Sequence, residues 1–463
     1  MTPLDREANQ SPGIIGRARG ALQALRPRAV IGNDAEPGAD VIGMLGMLGA
    51  SLLASSQATN DVEETLNRLA QQYDRADLRV FVLPTIVMVE DPRNSSSATS
   101  LFAVGSAPLR LDQVDAVERL VREASRSTTP PQDVVARLGE IRSESARFGP
   151  VLTVFGYTLL TVGFGLVLNP TVTALPVYVL LGVVVGSIVL IGNRVATLSL
   201  ILPVLTAFSV TLLISLLVRP FVHDDVLRLV APSLVSFLPG LTLTIAAVEL
   251  TSGQMMAGAS RLVSGIARLG LLTFGVYAGI SIAGEPPAPT TAPMQLGAWA
   301  PWAGIVLVAL GYYLYSAAPR RSLVWILYAL VVAYSGQLLG DRLVGAELSG
   351  LIGALIVIPA VMLAGRLSAS PSTAVMLTCA YWLLVPGAMG FIGLSEAASG
   401  ASGATDTIMR TFGSLTAIAI GMLLGAGLSR DVAAMSRGWR QARGRGGTNR
   451  PTKPSDGERM HHD

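Results

Sequence analysis

The chain has 463 residues, 51% apolar and only 14% charged, where a soluble domain carries roughly a quarter charged residues; a wholly soluble protein is excluded. Its net charge of +3 is arginine-based, with Lys453 the single lysine, and reflects cations near membrane ends rather than a nucleic-acid surface. The single cysteine, Cys379, excludes an intrachain disulfide.

Met1 to Gln10 lacks the apolar core of a signal peptide. Residues 1–40 are rich in Arg, Gly and Pro and read as a flexible segment. Residues 41–148 read as a soluble α/β head. Val41–Ala54 is apolar but too short to span a bilayer, so it packs on that domain. Asn60, with Glu63 three residues on, reads as a capping box opening a helix to about Tyr73. Leu78–Glu90 is β-branched and reads as one strand, with Pro84 at a bend or edge. Asp91-Pro92-Arg93-Asn94 and three serines form a loop. Leu101–Val104 is a short partner strand. Asp112–Arg126 and Pro131–Arg147 are charged amphipathic helices, the second opened by Pro130 and Pro131.

The head holds no Cys and no His, since His223, His461 and His462 all lie later. A Ser-His or Cys-His nucleophile pair is therefore excluded within it. No Walker-type phosphate loop occurs, which disfavours ATP-driven transport. Asp61, Glu63, Glu64 and Asp91 offer an acidic cluster, although capping and solvated helix faces explain them more simply. No cofactor and no metal site is expected, and the head reads as a gating, regulatory or assembly module.

After Gly149 the chain enters lipid. No charge occurs from Val151 to Gly192 or from Val195 to Val218, and apolar runs longer than about 18 residues read as membrane helices. Spans are expected near 151–168, 174–192, 196–218, 230–248 and 264–283, forming a first repeat over 149–284. An external Pro-rich loop, 285–299, follows. A second repeat over 300–429 has spans near 300–316, 322–339, 345–364, 374–393 and 408–428, and a basic, disordered tail runs over 430–463. Arg137, Arg142 and Arg147 precede the first span, and Arg430, Arg437 and Arg440 follow the last. Ten spans put both termini on one side, and the arginine bias makes that side cytoplasmic. Arg194, Arg320, Arg321 and Arg366 agree, whereas Arg219, Arg228, Arg342 and Arg410 do not.

One motif occurs twice. Pro239-Gly240 is followed by eight residues, Glu249, three residues and Gly253; Pro386-Gly387 is followed by eight residues, Glu396, three residues and Gly400. The copies fall in the fourth and ninth spans. Five spans per half turn the second half upside down, which makes an inverted-topology repeat suited to alternating access. The expected fold is thus a polytopic α-helical membrane protein of about ten transmembrane helices, in two five-helix inverted repeats, with an N-terminal soluble α/β domain.

Pro239 cannot donate to the carbonyl of Val235, nor Pro386 to that of Trp382. Backbone groups freed in this way persist at membrane depth only inside protein or along a cavity. Free carbonyls suit an ammonium group, and the next half-helix's N-terminus suits a carboxylate; a zwitterionic amino acid needs both. Pro239, Gly240, Val235, Pro386, Gly387 and Trp382 are therefore candidate substrate residues. The competing account is a packing kink with Gly for close helix approach. Glu249 and Glu396 are candidates for proton coupling, because an acid near the membrane is held toward its neutral form. Against that stands an interfacial carboxylate paired with Arg261 or Arg410. Asn169, Asn193 and Gln337 are further polar candidates, with interhelical hydrogen bonds or helix ends as their alternative roles. Asp406 and Arg410, at the entry to the last span, read as interfacial.

Over about residues 41–430 the chain resembles the threonine/serine exporter family. The resemblance is carried by the soluble head before ten spans, by GASLLASSQATNDVEETLNRLA running into VFVLPTIVMVE, and by the doubled Pro-Gly in FLPGLTLTIAAVEL and LVPGAMGFIGLSEA. It implies secondary active export of threonine and serine across the cytoplasmic membrane, driven by the proton motive force. The implied partners are a small amino acid, protons and the lipid bilayer; a homo-oligomer is compatible and no nucleic acid is expected. In related two-protein systems the head with five spans and the other five spans are separate polypeptides, and some are linked to dicarboxylate export. A succinate-like substrate, or an enzyme or sensor acting through a membrane-anchored head, are the alternatives.

Overall fold

The computed structural model describes residues 40–93, 99–105, 108–192, 196–218, 222, 224–284, 294–346, 348–367, 369–384, 387–398 and 404–445. Asn193, His223, Pro386, Gly400, most of the Pro-rich loop and both terminal segments lie outside them.

Residues 40–143 enclose one apolar core. Helices α1 (Val41–Ala54) and α2 (Thr59–Gln72) precede a sheet of β1 (Arg79–Leu83), β2 (Ile86–Glu90) and β3 (Thr99–Ala103), followed by α3 (Leu111–Ala124) and α4 (Pro131–Ser143). As expected, α1 packs into this domain. Met44, Leu45, Leu48 and Leu52 are at most 2% exposed, and burying each contributes on the order of 1.5–3 kcal/mol. Asp40 caps it by accepting the Gly43 N–H at 2.9 Å.

Two expectations for this region change. The segment Leu78–Glu90 is two strands, because Pro84-Thr85 forms the turn of a hairpin in register Leu83↔Ile86 and Arg79↔Glu90. Proline lacks the N–H needed mid-ladder and suits a turn instead. The sheet is an antiparallel β1-β2-β3 meander. The capping box at Asn60 does not form: α2 begins at Thr59 after Ala58, leaving Asn60 in its first turn.

The apolar part follows as α5 (Pro150–Leu168), α6 (Leu175–Gly192), α7 (Ala196–Leu213, continued by a π-helical turn Ile214–Val218), α8 (Val226–Ser233), α9 (Gly240–Thr251) and α10 (Met255–Ala283). Then come α11 (Ala300–Tyr315), α12 (Leu323–Val344), α13 (Ser349–Ala364), α14 (Thr373–Leu384), α15 (Gly387–Ala398) and α16 (Ala404–Arg445). Among the described residues six helical stretches are long and apolar enough to cross a membrane: Pro150–Leu168, Leu175–Gly192, Ile201–Val218, Met255–Ala283, Leu323–Val344 and Met409–Ser429. Helices α11 and α13 have 16 residues each. The spans expected at 230–248 and 374–393 are each split in two: α8 with α9, and α14 with α15.

Glycines set how these helices meet. A Cβ on Gly156 would lie 3.1 Å from the Gly311 carbonyl oxygen, and one on Gly304 would lie 2.7 Å from that of Gly163. The contact runs from 156 to 163 along α5 and from 311 to 304 along α11, so these two helices cross antiparallel with backbones touching. Helices α7 and α10 instead run parallel, Gly275 meeting Ala207 and Gly279 meeting Thr211. Helices α13 and α16 are also parallel, Gly350 meeting Ile418 and Gly425 meeting Ile358.

Candidate functional site

The first break follows from its prolines. Helix α8 carries Pro232 and ends at Ser233; the chain then turns through Leu234–Pro239, and α9 starts at Gly240 with the Leu243 N–H on the Pro239 carbonyl at 2.9 Å. Pro239 and Gly240 are buried. A carbonyl left over at the end of a half-helix needs a donor, and the Tyr157 hydroxyl supplies one, donating to the Ser233 carbonyl at 2.7 Å. At the second break α14 ends at Leu384, whose carbonyl accepts from Gln337 Nε2 at 3.4 Å; α15 then starts at Gly387. Gln337 thus tends a broken helix end. Tyr157 does the same at the other break and was missed in the sequence. Its signal was a tyrosine in mid-span of α5, beside the threonine hydroxyls of Thr153, Thr158 and Thr161.

The half-helices that flank the two breaks pack on one another: α8 on α15, and α9 on α14. The same exchange occurs outside them, where α9 packs on α16 and α10 on α15. Val235, in the first break, belongs to one apolar cluster with Phe164 and Tyr312, and Trp382 of α14 packs on that cluster. Trp382 stands edge-on to Tyr312, with ring centroids 5.0 Å apart. Of the other polar candidates, Asn169 ends α5 and is tied to Tyr178, its Nδ2 donating to the hydroxyl at 3.2 Å. Asp406 and Arg410 pair with each other at 2.8 Å on exposed surface.

Glu249, near the end of α9, is fully buried. Its Oε1 accepts the Thr59 N–H at 2.9 Å, and its Oε2 lies 3.1 Å from Arg261 Nε. Arg261 also donates to the Gln57 carbonyl at 3.2 Å. A carboxylate at a helix N-terminus satisfies an orphan N–H and the positive end of the dipole, so Glu249 does for α2 what Asn60 was expected to do. The head reciprocates. Asp115 of α3, paired with Arg119, accepts the Ser372 N–H at 2.7 Å, immediately before α14. Each part therefore caps a helix of the other, and the head is bolted onto the outer ends of α9 and α14. Glu396, the counterpart of Glu249 in the repeated motif, is half-buried on α15.

Two cavities meet at this junction. An outer groove of about 710 Å³ lies between α2 and α3, with Arg68, Arg122 and Arg126 on its walls. An inner cavity of about 270 Å³ is roofed by Gln57, Asn60 and Asp61 and floored by α9 and α14, with Thr378 and Tyr381 on the α14 side. Glu118 lines both and accepts from Gln57 Nε2 at 2.9 Å. Burial pushes its carboxyl up to about 7; Asp115 adds to this, while Arg122 and the Ala374 N–H oppose it. Glu118 also escaped the sequence reading. Its signal was a carboxylate inside the apolar stripe Val114–Val117–Val121 of α3. Of the acidic head residues singled out by sequence, Asp61 faces the inner cavity and Glu64 pairs with Arg68 on the surface. Asp91 is held below the usual carboxylate range by its hydrogen bond from Arg75.

The sequence model of the family described as "Putative threonine/serine exporter" matches residues 44–283, from α1 to the end of α10 and a little over half of the chain. No curated protein and no solved structure matches it. On that match, the chain belongs to the threonine/serine exporter family.

Proposed function

We propose that this protein is a secondary active exporter that moves threonine, serine and similar small amino acids by alternating access, drawing on the proton motive force. In this reading the halves 149–284 and 300–429 are inverted repeats in the cytoplasmic membrane. The head and both termini lie on the cytoplasmic side, and substrate sits where the two broken helices face each other. The supporting observation is the pair of 12-residue half-helices that start at Gly240 and Gly387. Their reciprocal packing accompanies an antiparallel α5–α11 contact, as expected of repeats related by an axis in the membrane plane. Glu249, held by Arg261 and Thr59, and Glu396 are the candidates for carrying a proton.

The test is efflux of radiolabelled threonine from proteoliposomes. Efflux should accelerate when a proton gradient is imposed, and Pro239→Ala, which restores the N–H facing Val235, should slow it at least tenfold in folded protein. Efflux no faster than from protein-free vesicles sinks the proposal. Competition by succinate but not by serine would move the substrate to the dicarboxylates.

A further inference from the structure

We propose that the head is the substrate's way in: a small zwitterionic amino acid enters the groove between α2 and α3, passes the Gln57–Glu118 bridge, and lodges in the inner cavity with its ammonium group on Glu118 and Asp61. This rests on the transport reading above and assigns that site's route and ligands.

The two cavities share Gln57, Glu118 and Thr373 as lining residues. Two of these shared residues are bonded to each other, Gln57 Nε2 donating to Glu118 at 2.9 Å. The lining chemistry follows the order in which a zwitterion would meet it. Arg68, Arg122 and Arg126 line the outer groove, and guanidinium forks suit a carboxylate. Glu118 lines both cavities with a side chain 13% exposed and its Oε2 3.5 Å from Arg122 Nη1, so a ligand ammonium would meet a carboxylate already facing one cation of the outer groove. Beyond it, the Asn60 Oδ1 atom is buried with no hydrogen-bond partner among the described residues. Leaving a buried acceptor unpaired is costly, and the ammonium or side-chain hydroxyl of the ligand is a donor that would satisfy it. The Thr378 and Tyr381 hydroxyl groups line the same cavity.

Size and charge narrow the occupant. About 270 Å³ is just below the range of roughly 300–1,000 Å³ for drug-sized ligands and suits a molecule of threonine's size. A dicarboxylate would bring its second anion against Glu118 and Asp61, a like-charge arrangement that rejects it. The cavity is lined by α9 and α14, the two half-helices beside the breaks, together with α13 and α16, so a ligand lodged there already touches elements proposed to alternate.

The experiment uses purified full-length protein. A Gln57→Cys variant is labelled with a cationic thiol reagent, with the native Cys379, 2% exposed, as the unreactive control. Threonine should slow labelling at least severalfold and succinate should not; equal labelling with and without threonine overturns the inference. In proteoliposomes, folded Glu118→Gln should raise the KM for threonine roughly tenfold, the scale of one charge-assisted hydrogen bond, with Glu118→Asp recovering part of it. An unchanged KM in Glu118→Gln also overturns it. If Glu118→Gln does not fold, the labelling result decides. If the native protein carries no threonine, the transport reading fails on its own, and threonine protection of Gln57→Cys still reports the site. If it carries threonine while labelling and KM stay unmoved, only the entry route is wrong.

Discussion

The two broken spans start from the same sequence pattern and reach different surroundings. Helices α8–α9 and α14–α15 share the Pro-Gly pair, a 12-residue second half and a following glutamate. Yet Glu249 is sealed between Arg261 and the first turn of a head helix, while Glu396 is half-buried on α15. The head explains the difference. It touches the end of α9 and the beginning of α14, so one broken span finishes at the head and the other starts there. The same residues repeated along a chain thus acquire different work, because the head docks at the end of α9 and the beginning of α14. The lesson is that a repeated motif dictates backbone geometry, through the missing proline N–H, and leaves the role of its charged residue to the neighbours.

This contrast can be broken experimentally, and the largest effect should come from the glutamates. Glu249→Ala strands the Arg261 guanidinium, 13% exposed, and should cost about 3–5 kcal/mol, seen as a sharp fall in apparent Tm in detergent and faster hydrogen exchange in α2. Glu396→Ala should cost much less. Equal losses would mean that the two sites are equivalent after all.

Next come the crossing glycines. Gly163→Leu and Gly304→Leu each push a Cβ to within 2.7 Å of the facing backbone, a cost of roughly 1–3 kcal/mol. The two variants should lose similar Tm if the halves are equivalent around the α5–α11 contact, and unequal losses would argue against the symmetry. Asp115→Ala removes the head's cap on α14 and should cost about 0.5–2 kcal/mol, with faster amide exchange at the start of α14 while α2 stays protected.

The smallest effect is a pH dependence. Glu118 ordinarily titrates near 4.5 and is pushed up to about 7 in the folded head. The folded state therefore holds a proton that the unfolded chain releases, and the associated stability is complete below about 4.5 and lost as pH rises through 7. Between pH 6 and 7 the native protein should lose about 1 kcal/mol more than Glu118→Gln does; parallel curves would show that Glu118 is not buried at the head junction.

Much of the architecture was legible in the chain itself, because its signals are local. Uncharged runs mark apolar helices, Pro239 and the second Pro-Gly pair mark helix breaks, and Pro131 marks the start of α4. The hairpin at Pro84-Thr85 was misread as one strand because a β-branched run has the same composition whether or not it folds back. The site was less legible. Tyr157 and Gln337 matter through the carbonyls of Ser233 and Leu384, Asp115 through the start of α14, and Glu118 through Gln57, all partners distant in sequence.

By itself, then, the sequence determined where helices form, where two of them break and where charge is absent. Those outcomes follow from each residue's own φ range, hydrogen-bonding groups and transfer free energy. Only the tertiary structure decided that Glu249 caps a head helix, that Asp115 caps a broken span in return, and that Glu118 lines two cavities. Those roles depend on which unsatisfied helix end a carboxylate meets once the head has docked, and no local rule specifies that meeting.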